Sequence, residues 1–132
     1  MKLGQLDLLT KRVRKAPLAS ERATHIAVAD LLRASLSKGW WASHIPSGEL
    51  RTEATGKLLK RMYTQPGMAD FVLLGPGCVC WLELKRPPNK PTEAQVAFGK
   101  AAILALSRYE VAYSYADAER ILKAWGAVRI ST

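Results

Sequence analysis

Residues 66–86 read Pro66-Gly-Met-Ala-Asp-Phe-Val-Leu-Leu-Gly-Pro-Gly-Cys-Val-Cys-Trp-Leu-Glu-Leu-Lys-Arg86. Two apolar, β-prone runs, Phe71-Val-Leu-Leu and Val79-Cys-Trp-Leu-Glu-Leu, flank the turn signal Gly75-Pro-Gly. That pattern predicts a β-hairpin. Side chains alternate along a strand, so Glu83 and Lys85 emerge on one face. Asp70 stands just before the first strand, and pairing across the short turn brings it beside Glu83. Two carboxylates and a lysine thus converge at one open edge of a small sheet.

Such a trio suits metal-assisted hydrolysis of a phosphodiester. Hard oxygen ligands hold Mg2+ while leaving positions open for water. A metal so held polarises a phosphate and acidifies its bound water, and a lysine beside it can orient that water or steady developing charge. The plainer alternative is a surface hairpin carrying three solvated charges.

The surrounding order of residues favours the first alternative. Gly67-x-x-Asp70, a hydrophobic hairpin, Glu83-x-Lys85 and then Thr92-x-x-Gln95 opening a helix resembles the PD-(D/E)XK nucleases. Within them it resembles the VRR-NUC (virus-type replication-repair nuclease) branch, over roughly residues 20 to 125. Ala69 departs from that pattern, since proline usually precedes the aspartate there. The resemblance implies an α/β restriction-endonuclease-like fold with a central mixed β-sheet flanked by helices. It also implies a metal-dependent, structure-selective DNA endonuclease with Mg2+ or Mn2+ held by Asp70, Glu83 and the backbone carbonyl of Leu84. Lys85 would then position the attacking water, and Gln95 would support it. Small members of the branch further imply a homodimer acting on branched or duplex DNA, such as a Holliday junction or a flap.

Composition bears on the partner. The chain has 132 residues, enough for one domain with a single core. Twenty Lys and Arg against eleven Asp and Glu give a net charge of +9. A basic excess of that size favours a polyanionic partner without naming an activity. A non-catalytic nucleic-acid-binding accessory on the same fold therefore stands as the alternative function. A sequence-specific restriction-like protein stands further off, because the chain leaves little room for a recognition domain. No stretch is apolar and long enough to span a membrane, and the amino terminus lacks the apolar core of a signal peptide, so the expected location is the cytoplasm. Cys78 and Cys80, expected on opposite faces of their strand, read as packing residues and not as a disulfide or zinc pair.

Residues 1–18 form a basic arm with Lys2, Lys11, Arg12, Arg14 and Lys15, and residues 19–132 form the folded domain. Ser20 caps a helix expected to reach about Ser37, ended by Gly39, with Ile26, Ala29, Leu32 or Arg33, and Leu36 as its core-facing stripe. Glu21 lies in its first turn. It either complements the helix dipole or, as the resemblance implies, adds a carboxylate to the metal site. His25, one turn on, reads as a neighbour of that site. Trp40 to Ile45 is a short strand, with its tryptophans in the core or an interface.

Residues 46 to 65 are a basic connection, part of which can be helical through Leu58, Leu59 and Met62. Arg51, Lys57, Lys60 and Arg61 are its candidate DNA-phosphate contacts, with solvated loop charge as the alternative. Arg86 and Lys90 flank a proline-rich segment at the open edge and are candidates of the same kind. Thr92 with Gln95 forms a capping box. The helix it opens runs to about Ser107. A strand over Val111–Tyr115 follows, then a helix capped by Asp117 and closed by Gly126, and a last edge strand over Ala127–Ile130.

Overall fold

The computed structural model describes residues 20–46 and 52–129. The basic arm of residues 1–18 and Arg51 lie outside the described residues. Among the described residues eight elements follow in order: α1 (Glu21–Ser35), β1 (Trp41–His44), α2 (Glu53–Arg61), β2 (Phe71–Gly75), β3 (Cys78–Leu84), α3 (Glu93–Leu104), β4 (Arg108–Ala112) and α4 (Tyr115–Trp125). The four strands form one sheet in the order β1-β2-β3-β4. β1 with β2 and β2 with β3 are antiparallel, whereas β3 and β4 run parallel. Because parallel neighbours need a crossover, α3 carries the chain from the end of β3 back to the start of β4. The protein is thus α/β, with a four-stranded mixed sheet and helices around it.

The hairpin forms as read, with Phe71 opposite Leu82 and Gly75 opposite Cys78. Alternation then sorts the sheet into two faces. On one, Phe71, Leu73, Cys80, Leu82, Leu84 and Ala112 are buried in a single cluster with Val28, Leu31 and Leu32 of α1 and Ala118, Ile121 and Leu122 of α4. On the other, Trp81 and Tyr109, paired across β3 and β4, meet Phe98 of α3 edge to face, at 4.9 and 6.0 Å between ring centroids.

Local chemistry sets the helix ends. Ser20 accepts the amide of Ala23 at 3.0 Å, Thr92 and Gln95 close the capping box at both bonds, and Gly126 ends α4 in the left-handed conformation with φ of 79°. α1 stops at Ser35, two residues short of the expected end, because the chain turns off at Leu36 to bridge Val128.

Other boundaries move for identifiable reasons. The core stripe of α1 is Val28, Leu31 and Leu32. Ile26, expected to face the core, is 55 % exposed. β4 begins at Arg108, since α3 already ends at Leu104, and it stops at Ala112 because Ser114, not Asp117, caps α4: the Ser114 hydroxyl accepts the Asp117 amide, and Asp117 accepts the Tyr113 amide. The expected last edge strand is an isolated bridge to the end of α1 among the described residues, with Ser37 and Arg129 bonded to Ala127 and Ser35. Trp40 packs against the core, but Trp41 is exposed. Cys78 and Cys80, two positions apart, share a face and do not oppose one another. Both are free, and burial with the Cys78 thiol alongside pushes the Cys80 thiol up to about 12. No helix among the described residues is long and apolar enough to cross a membrane.

Candidate active site

β2 and β3 determine where the carboxylates lie. Continuing the hairpin register one step beyond Phe71 and Leu82 sets Asp70 against Glu83 on the face that α3 covers. Asp70 is held from several sides. Its Oδ2 accepts the amide of Leu84 at 2.7 Å. Its carbonyl accepts the amide of Ile45 at 2.7 Å and Nδ1 of His44 at 3.0 Å. A carbonyl only accepts, so Nδ1 of His44 is the donor in that contact. His25 brings Nε2 to 3.6 Å from Asp70 Oδ1.

Glu83 is the unusual member. It is 2 % exposed, its Oε1 accepts Nε2 of Gln95 at 3.2 Å, and its Oε2 is buried with no hydrogen-bond partner. Burial first, and then the charge of Asp70, push its carboxyl from 4.5 up to about 9, while Lys85 pulls the other way. An isolated buried carboxylate is costly unless paired. Glu83 therefore needs either a proton or a cation between itself and Asp70.

Gln95 reaches Glu83 because two constraints fix it at once. Its side-chain oxygen accepts the Thr92 amide at 2.8 Å, closing the cap, and this leaves its amide nitrogen for Glu83. The loop before Asp70 lies tight against the same turn of α3. Gly67 has φ of 87°, and a Cβ there would come within 2.3 Å of the Ala94 carbonyl oxygen, so glycine is required on both counts.

These residues surround a cleft of about 780 Å3. Asp70, Glu83, Lys85 and Gln95 line it together with Glu21 and Lys60. Glu21 sits in the first turn of α1, and its charge reaches Glu83. Among the described residues, no group of three or more His, Cys, Asp or Glu side chains is gathered to hold a metal ion. Asp70, Glu83 and the Leu84 carbonyl are the candidate donors, and Glu21, the further carboxylate that the resemblance implies, lines the same cleft. The orphaned Oε2, next to a second carboxylate, fits a divalent cation at that point.

The expected phosphate contacts divide. Lys60 faces the cleft from α2. Lys57, on the same helix, pairs with Glu53 at 3.5 Å and is exposed. Arg61 and Lys90 are exposed and outside the cleft lining. Arg86 borders a smaller cavity beside Lys85 and Tyr113.

Two groups near the site carried no sequence signal. Tyr109 shares the face of Glu83 one strand over. Its hydroxyl is buried without a partner and pushed up to about 12, by burial first and then by the charges of Glu83 and Asp70. His44 ends a four-residue strand, and only the pairing of β1 with β2 brings it to Asp70. Comparison with known protein families and with curated protein sequences gives no match.

Proposed function

We propose that this chain is a metal-dependent DNA endonuclease built on a PD-(D/E)XK fold of VRR-NUC type. The observation that carries the reading is the Asp70–Glu83 pair, with its unpartnered Oε2 and the nearby charge of Lys85. The net charge of +9 supports a polyanionic substrate, and the expected homodimer and branched DNA belong to the same proposal.

Asp70, Glu83 and the Leu84 carbonyl would hold Mg2+ or Mn2+. When bound, the ion supplies Lewis-acid polarisation of a phosphate oxygen and a water of lowered pKa. Gln95 fixes the rotamer of Glu83. The Leu84 amide fixes the carboxylate of Asp70, so neither acid must reorganise as charge develops. Lys85 brings a mobile cation to the cleft, where it orients the attacking water and steadies negative charge on the phosphate. Lys60, which lines the same cleft from α2, holds the strand.

The test is incubation of the native protein and Glu83→Ala with a labelled four-way junction, a flap and a linear duplex, in Mg2+, Mn2+ or EDTA. Cutting by the native protein alone, and only with metal, is the expected result. Tight binding without cutting in either metal would move the assignment to a DNA-binding accessory.

A further inference from the structure

A second cavity, of about 460 Å3, opens on the other side of Asp70, between α1 and β1. Asp70 and Glu21 line both cavities, so the two meet along these residues. The second one is differently built. Its lining includes the rings of His25 and His44, which meet edge to face at 5.4 Å and are backed by the buried ring of Phe71. Ile26, exposed where the helix pattern calls for a core residue, forms an apolar wall, and Arg22 and Arg33 stand at the rim. Arg33 already pairs with Asp30 at 3.0 Å. His44 uses Nδ1 on the Asp70 carbonyl, which leaves Nε2 for a ligand.

From this arrangement we infer that the second cavity seats one unpaired nucleotide of the strand whose phosphodiester lies in the first. Rings and an aliphatic wall suit the faces of a base, which stack on such surfaces with little regard to sequence. Guanidinium groups at the rim suit the adjoining phosphate. The volume lies in the range that holds a small molecule. A base within a duplex is covered above and below by its neighbours, so only a splayed or single-stranded nucleotide enters. The seat thus rests on the nuclease reading for its strand and gives that reading a substrate class: DNA with an unpaired nucleotide flanking the cleaved bond.

The experiment is a fluorescence-anisotropy titration, in EDTA, of labelled flap DNA carrying a single abasic residue at each successive position of its unpaired arm. Native protein, Ile26→Ala and His44→Ala are compared, with thermal unfolding as the check on folding. One position at which the missing base weakens native binding about tenfold, and weakens neither variant further, is the expected result. A flat scan, or the same loss in the variants, overturns the seat. Because EDTA removes any need for cleavage, the two readings separate. A base-dependent position in a protein that never cuts keeps the seat and removes the hydrolytic reading. Metal-dependent cutting with a flat scan does the reverse.

Discussion

Along β3, Cys80, Leu82 and Leu84 point under α1 and α4 and are buried among apolar side chains, whereas Trp81 and Glu83, one step out of phase, point toward α3 and the cleft. The strand is the same and the burial is similar, but the physics is opposite. On the first face burial stabilises, because it removes apolar surface from water. On the second it holds Glu83 beside Asp70 and leaves one oxygen without a partner. The first face sets the register that places the second face's charges, and the second is a local cost that a ligand can offset.

The sharpest way to test that division is to cut each face separately. Lys85→Ala is expected to lower cleavage at least about 100-fold, the scale of losing one preorganised charge-stabilising group, with thermal unfolding unchanged. An active variant would remove the role given to Lys85. Leu82→Ala, on the apolar face, is expected to cost about 2–5 kcal/mol in urea unfolding while cleavage per folded molecule persists.

Titration gives a finer contrast. Glu83 holds its proton more tightly folded than unfolded, since its carboxyl moves from 4.5 up to about 9. Between those values the native state binds more protons than the unfolded state. Metal-free stability from this group is therefore full below about 4.5 and is lost as pH rises toward about 9. Urea unfolding in EDTA across that window should show the decline in native protein, and Glu83→Gln should flatten it. Metal binding that displaces this proton should tighten with pH, which calorimetry in buffers of different ionisation enthalpy reads as proton release. The smallest effect belongs to Gln95→Ala, which removes one arm of the capping box and the bond to Glu83. About 1 kcal/mol of stability and a partial loss of cleavage are expected, against the near-complete loss at Lys85.

The hairpin, its register and the capping box were legible because each is written within a few neighbouring residues: Gly75-Pro-Gly for the turn, Thr92-x-x-Gln95 for the cap. Asp70 beside Glu83 follows from the turn alone. Helical periodicity was less informative. Of the expected stripe, Leu32 is buried and Leu36 packs against the core, but Ile26 is exposed while Val28 and Leu31 are buried, a choice that only the placement of α4 and β3 decides. His44 and Tyr109 were silent for the same reason, since their proximity to the carboxylates depends on which strands pair. The end of β4 was displaced because Ser114 and Asp117 both have cap chemistry, and the amide of Tyr113 settles the choice.

On the proposed function, Asp70 and Glu83 are held together for a divalent cation and not merely for a shared proton. Thermal unfolding of the native protein and Glu83→Gln at pH 8, with Mn2+ or with EDTA, tests it most directly. Mn2+ is expected to raise the midpoint of the native protein in a concentration-dependent way and to leave Glu83→Gln where EDTA leaves it. An identical native midpoint with and without Mn2+ would contradict the claim and leave the pair as a protonated, structural contact.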